Sequence, residues 1–520
     1  MEKTKSLIVN SDNTSKNLLF YITKIVVAVL FSSSMSILSV YFMVGNMNKV
    51  LEIFTAIISF FTSVAVILKK YSDIIEYVKN NKIVTSIFTI IGIIVFYEYR
   101  KISIASGVLQ VKFENINIVY LIVPAICTII TLLMSLAKEW LVSFYATLDK
   151  YEKITHIALS IIFFIVLVIL YTKKPVVYQG YDSVYSLDSK WVYNNIYQKT
   201  DYYDIRHPLL GIVTFPLYAL ADFLFKEKIK IVVLQFINVQ LLLLIGLELK
   251  KITNSKYTYY LYLVSCPTII FGLFFEKYVL CVFFIVTYLY NLFVANKNGN
   301  SLITFIVGTM PTNIYAGVFE FFRKNNFKEK IINILKIGIT SILIFVICGR
   351  VRSFVNGLNE IQKMRSQFGG VESTIIQRIN ATSKMIEASI ISLPSSKVDE
   401  KYLWNNIVDS PSYISLGIIV LMLIGAIKKI REKKNAYLAF CIACLFSVVL
   451  FVVLNWAVYE SPLFSICFSW AIIPLVCAGI DVILEKVNIK DKNRIYIYIP
   501  ITFVVLCINI YRIIDICRLY

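Results

Sequence analysis

Residues 155–171 read THIALSIIFFIVLVILY and residues 412–427 read SYISLGIIVLMLIGAI, and runs of this kind recur along the whole chain. Such runs are too long for strands and have no polar stripe to turn toward water. Recurring this often, they need lipid around them. Of 520 residues, 58% are hydrophobic and only 16% charged, whereas a soluble domain carries charge on about a quarter. The expected fold is all-α: a polytopic transmembrane helical bundle of roughly 13–15 apolar segments. The segments fall at 18–44, 50–68, 83–98, 117–137, 155–171, 208–225, 229–248, 257–275, 278–295, 301–322, 329–349, 411–428, 437–458, 462–483 and 494–512. The first is longer than a signal-peptide core and has no small-residue cleavage site after it, so it is expected to be retained.

The formal net charge of +20 does not point to nucleic acid, because the cations cluster in short loops between apolar runs. Such clusters hold a loop in the cytoplasm. Lys69, Lys70, Lys79 and Lys82 form one cluster, and Lys138, Lys150 and Lys153 another. Lys428, Lys429, Arg431, Lys433 and Lys434 form a third, and Lys486, Lys490, Lys492 and Arg494 a last. They predict a multi-pass protein of the plasma membrane with its N-terminus cytoplasmic. The only two long polar segments, 172–207 and 350–410, then both emerge on the extracytoplasmic side.

The middle of the chain allows two topologies. If 208–225, 229–248 and 257–275 all cross, Lys250, Lys251 and Lys256 lie outside, against the charge rule. If 208–225 dips in and returns, those lysines lie inside, Glu276 lies outside, and 301–322 must also fail to cross. The interruption Gly308-Thr309-Met310-Pro311-Thr312-Asn313 suits such a turn-back, since non-helical backbone at membrane depth is tolerated where protein surrounds it. The charge rule favours this second topology. The ten cysteines all fall in or beside apolar segments, which excludes a disulfide framework in the loops; Cys441 and Cys444 are read as packing and not as metal ligands.

The first loop has apolar residues at Val184, Leu187, Trp191, Val192 and Ile196, a spacing that predicts a short helix with one oily face resting on the membrane surface. Its many aromatic residues suit the lipid–water interface and also suit stacking on sugar rings. Around it sit Asp182, Asp188, Asp201, Asp204, Arg206 and His207. Any one of these could be the solvated face of a juxtamembrane loop; the cluster as a whole points to chemistry. A second amphipathic helix is predicted at about 374–393 in the other loop.

At Asp182-Ser183 and Arg206-His207-Pro208-Leu209 the chain resembles the C-type (GT-C) membrane glycosyltransferases of bacteria, which use polyprenyl-phosphate sugars. An acidic residue opens an external helix, and His-Pro-Leu leads into a membrane segment. Glu276, in Phe274-Phe275-Glu276-Lys277-Tyr278, matches that family's second acidic position in the topology favoured above. The resemblance covers residues 155–349 well and the rest loosely. It departs in the extra membrane module of residues 1–154, and in a Glu–Lys pair where two acids would stand, which puts metal binding in doubt. The implied organisation is that N-terminal module, a catalytic core at 155–349 with loop 172–207, a second loop at 350–410, and C-terminal helices at 411–520.

Moving a sugar from a lipid phosphate needs a base for the acceptor hydroxyl and cations for the departing phosphate. The resemblance makes Asp182 the base, strengthened by desolvation at the interface, with Glu276 positioning the acceptor or sharing that role. Arg206, Lys277, and Arg350 or Arg352 are candidates for the phosphate, with Asp204 and His207 beside them. Direct displacement by an activated acceptor inverts the anomeric centre. Expected partners are membrane lipid, a lipid-linked sugar donor and a glycan or lipid acceptor; a divalent cation is left open. Two rivals share much of the same pattern: a lipid or polysaccharide transporter or flippase, and a polysaccharide polymerase or ligase. A transporter would place ionisable groups within its helices; Lys24, Asp222, Lys336 and Asp481 lie in or near apolar segments, but most sit close to an end, where such side chains snorkel.

Overall fold

The computed structural model describes residues 20–33, 35–36, 49–105, 140–173, 184–185, 187, 189–194, 207–296, 300–323, 326–348, 373–398 and 401–519. It is 84% helical, as a backbone denied water must be, because a helix satisfies its own N–H and C=O groups. Among the described residues seven helical segments are long and apolar enough to cross a bilayer. The protein is a polytopic α-helical membrane protein. Segment 117–137 lies outside the described residues.

After an apolar helix at Phe20–Ser33 come α1 (Lys49–Asn80), α2 (Lys82–Ala105) and α3 (Lys150–Lys173). Next come α4 (Leu210–Leu224), α5 (Glu227–Thr253), α6 (Lys256–Val264), α7 (Cys266–Leu273), α8 (Tyr278–Phe293) and α9 (Asn300–Thr309). A 3₁₀ stretch, Pro311–Phe322, leads to α10 (Phe327–Ile347). Beyond it lie α11 (Ile375–Ala388) and a two-stranded hairpin, β1 (Ser395–Val398) with β2 (Lys401–Trp404), paired antiparallel. The chain closes with α12 (Tyr413–Arg431), α13 (Asn435–Val448), α14 (Ser465–Lys486) and α15 (Ile495–Leu519).

Burial separates central from peripheral helices. In the span ending with α14, 94% of the apolar window is buried in protein, and in α5 67%, whereas α3 shows 22% and turns most of its surface outward. The closest pairing is α12 on α14. A Cβ on Gly479 would overlap the backbone of Leu421, and one on Gly425 the carbonyl of Leu475. Small residues let helices approach in lipid, where no hydrophobic force drives them together.

The ends of α3 define the two edges of the bundle. At its start, Glu152 pairs with Lys250 at 2.6 Å and with Lys251 at 3.5 Å, so the end of α5 lies at this basic edge. Near its finish, Tyr171 donates to the carbonyl of Leu273 at 3.0 Å, placing the end of α7 at the opposite edge. There Phe275 packs edge-on against Tyr193, whose hydroxyl donates to Glu227 at the start of α5. The other end of α4 is on this edge too, since His207 lies against Tyr278 with ring centroids 6.4 Å apart. Helix α4 therefore starts beside the 274–278 turn and ends beside the start of α5, both on the Tyr171 side of the bundle. Its 15 residues rise about 22 Å, less than the ~30 Å of hydrocarbon.

The segment 301–322 behaves likewise. Helix α9 climbs from the end of α8 to Thr309, level with Cys281 near the top of α8. Met310 is extended and Pro311 follows it, which ends the helix. The 3₁₀ stretch then descends past Tyr288, which donates to Glu320, to Phe322, whose carbonyl accepts from Asn435 beside the Lys428–Lys434 cluster. The contacts thus give the arrangement in which Lys250, Lys251 and Lys256 share an edge with the other basic loops.

Two further expectations are corrected. The predicted single helix 257–275 is two helices, broken at Ser265-Cys266-Pro267, and the Cys266 N–H left by the break donates to Ile390 at 3.0 Å. Three oily residues of the first loop, expected on the membrane surface, are instead buried in the protein core: Val184, Leu187 and Val192, around one short turn, Ser189–Val192. Ile196 lies outside the described residues, as does the Trp191 side chain.

Two outcomes check this architecture. Gly479→Leu is expected to lose the α12–α14 contact and lower the midpoint of thermal unfolding, overpacking costing about 1–3 kcal/mol or more, while Gly417→Leu, in open space, leaves it unchanged. Single cysteines at positions 256 and 433 are expected to react with an impermeant thiol reagent from one side only, and position 409 from the other.

Candidate functional site

The chain between α7 and α8 leaves helical geometry at Phe274, and its carbonyls are exposed to a medium without water unless side chains reach them. They are reached. Tyr171 of α3 serves Leu273. Gln235 of α5 donates to Phe271 at 2.8 Å and to Phe274 at 3.3 Å. Asn238, one turn further along α5, donates to the carbonyl of Glu276 at 3.4 Å. Three polar side chains inside apolar helices thus hold one break open.

At this break Glu276 is wholly buried and Lys277 is 3% exposed. The Glu276 carboxylate accepts from the Lys277 backbone N–H at 2.8 Å and lies 3.7 Å from its Nζ. The ammonium also lies 5.1 Å from the centre of the Tyr278 ring, close enough for a cation–π contact. A charge pair this dry persists only because the partners hold each other and are hydrogen-bonded further.

His207 and the α9 break lie beside the turn that carries this pair. The His207 Nδ1 stands 2.6 Å from the Thr309 carbonyl. A carbonyl only accepts, so Nδ1 carries the proton, and a neutral ring has its basic lone pair on Nε2. Leu209 N–H donates to Gly308 at 2.8 Å. Gly308 is required here, since a Cβ would run into the Leu209 side chain. Cys281 lies within thiol hydrogen-bond distance of the carbonyls of both Lys277 and Thr309, tying α8 to the same turn. The start of α4, the start of α8 and the tip of the α9 turn-back are thereby one polar junction at the Tyr171 edge.

The two polar loops meet above it. Tyr185 of the first stacks flat on Trp404 of the second, centroids 4.2 Å apart, and its hydroxyl is 3.1 Å from Ser395. Tyr193 reaches Glu227 at 2.7 Å, and Lys230 pairs with Asp222 and Glu227, each at 2.6 Å, under the rings of Tyr193 and Tyr218. Burial and the bond to Glu227 push the Tyr193 phenol well above its usual range, so it stays a neutral donor. Asp222, near the end of α4, is thus held by a buried lysine, and Asp481 pairs with Arg494 at 3.1 Å.

Of the site residues expected from sequence, His207 is brought beside the turn that carries Glu276 and Lys277, through Tyr278, Thr309 and Cys281. Asp182, Asp204, Arg206, Arg350 and Arg352 lie outside the described residues. Sequence reasoning missed Gln235, Asn238, Tyr171 and the Tyr185–Trp404 stack. Gln235 and Asn238 had a readable signal: two amides three apart share a helix face. Among the described residues no group of three or more His, Cys, Asp or Glu could hold a metal ion. No protein-family model, curated protein or solved structure matches the chain.

Lys277→Met removes a buried partner of Glu276 and is expected to cost about 3–5 kcal/mol. The double variant Glu276→Gln/Lys277→Met, which removes both charges, is expected to recover part of that loss in thermal unfolding. A double variant less stable than Lys277→Met would show that the two side chains do not support each other.

Proposed function

We propose that this protein is a membrane glycosyltransferase that moves a sugar from a polyprenyl-phosphate donor to an extracytoplasmic glycan or lipid acceptor, with inversion. The Tyr171 edge is the extracytoplasmic one in this reading, and the basic edge is cytoplasmic. The observation that carries it is the position of His207 beside the hydrogen-bonded backbone break that carries Glu276 and Lys277, at the edge where both polar loops join. Such a place suits a substrate whose tail lies in lipid and whose phosphate and sugar lie at the headgroup level. Lys277 supplies positive charge for the departing phosphate. Asp182 takes the acceptor proton, and Glu276 fixes Lys277 and the acceptor. His207, through Nε2, hydrogen-bonds a sugar or acceptor hydroxyl.

A transporter of lipid-linked glycan is the second reading, and one observation favours it. Glu248 in α5 and Glu320 in the 3₁₀ stretch are wholly buried. Glu248 accepts from Thr287 at 3.1 Å, and Glu320 accepts from Tyr288 at 3.0 Å. Ionisable groups within membrane segments mark ion and substrate paths in transporters.

In liposomes supplied with a polyprenyl-phosphate sugar and an acceptor glycan, Asp182→Asn is expected to slow transfer by about 10²-fold or more, the usual worth of a general base. Undiminished transfer by a normally inserted Asp182→Asn protein removes that role. No transfer by the unaltered protein, together with glycan movement abolished by Glu248→Gln, would establish the transporter instead.

A further inference from the structure

Helix α11 belongs to the second polar loop, yet it carries a strongly exposed apolar cluster. Ile375, Ile376 and Ile379 are 65%, 70% and 51% exposed. Ile379 lies four residues beyond Ile375 and three beyond Ile376, the spacings that bring side chains onto one side of a helix. The opposite side is anchored in protein: Ala381, Met385 and Ala388 are fully buried, and Asn380 donates to the Val408 carbonyl at 2.9 Å. The first turn is closed by a capping box, with Thr374 accepting from the Gln377 N–H and Gln377 accepting from the Thr374 N–H. The isoleucines are thus held outward on a well-formed helix.

Two neighbouring helices fix its depth. Helix α12 and the segment Asn435–Val453 each have 19 residues, a rise of about 28 Å from the basic edge. That is close to the ~30 Å thickness of bilayer hydrocarbon. At the far end of the first, the Ser412 N–H donates to Ser383 of α11 at 3.1 Å. At the far end of the second, the Val452 carbonyl accepts from Arg378 of α11 at 3.2 Å. Helix α11 therefore bridges the ends of two spans at the hydrocarbon boundary. Tyr413, at the same level and 82% exposed, is placed as interfacial aromatic residues are.

The occupant follows from continuity. Leu445, Val448 and Val449 turn outward along the second span at 65%, 41% and 42% exposure, and Val453 and Leu454 continue the stripe at 63% and 47%. Helix α11 packs directly against 449–453, so its isoleucines extend the same apolar surface. We propose that α11 is an interfacial helix whose Ile375, Ile376 and Ile379 side chains sit among lipid acyl chains at the Tyr171 edge. It is a lipid-binding surface of the second loop, and it holds the β1–β2 hairpin, with its Trp404–Tyr185 stack, at headgroup level.

The test uses the full-length protein in cell membranes with the photoreactive p-benzoyl-phenylalanine at position 376, and at position 445 as the lipid-facing reference. After irradiation and purification, intact-mass analysis is expected to show phospholipid adducts at 376 in yield comparable with 445. A cross-link from 376 to a second copy or to another protein would overturn the proposal. So would the lack of a lipid adduct at 376 where 445 gives one. If the 376 variant does not accumulate, the same substitution at Ile379 carries the same expectations.

Discussion

Backbone groups left over at four interruptions of the helices determine how the interior is arranged. Leu209 N–H finds Gly308, and the carbonyl of Thr309 finds His207. The carbonyls around Phe274 find Tyr171, Gln235 and Asn238. Cys266 N–H finds Ile390. In water each group would be solvated at little cost, and none would constrain the fold. In hydrocarbon an unpaired amide or carbonyl costs several kcal/mol, so each break in a helix must be met by a specific partner. The partners are what bring α3, α4, α5, α8 and α9 to one junction.

That junction explains why two apolar segments turn back instead of crossing. A short α4 and an interrupted α9 each leave chain ends at membrane depth, and each end supplies what the other lacks. The arrangement also concentrates charge. Glu276 and Lys277 sit on the junction, and Lys230 with its two carboxylates sits at the far end of α4. The loops then close over the same edge through tyrosines, whose rings tolerate burial and whose hydroxyls still need an acceptor.

Much of this was legible, and the limits of legibility were physical. The helical class, the basic clusters and the turn-back at Gly308–Pro311 are written in local pattern, since apolar length, charge and proline act over a few residues. His207 was singled out as a polar group beside an apolar run, and Glu276 with Lys277 by the resemblance to a family. Gln235 and Asn238 were passed over because single amides inside an apolar run look like tolerated exceptions until their acceptors are known. The first loop misled for a related reason. The spacing of Val184, Leu187 and Val192 reports an oily face but not what covers it, and protein covers it. In α11 the same kind of face is left outward, at Ile375, Ile376 and Ile379.

Sequence alone determined that this chain is a bundle of membrane helices, which ends of those helices carry positive charge, and where the polar loops lie. Those properties depend on transfer of side chains between water and lipid, which is additive and local. The charge rule already favoured a return of 208–225 and 301–322, but only the tertiary structure supplied the partners that hold those turns. It alone brought the His207 turn beside Tyr278 and Cys281, and it alone joined Tyr185 to Trp404. Those outcomes depend on which donor meets which acceptor across more than a hundred residues of chain, and no local pattern carries that information.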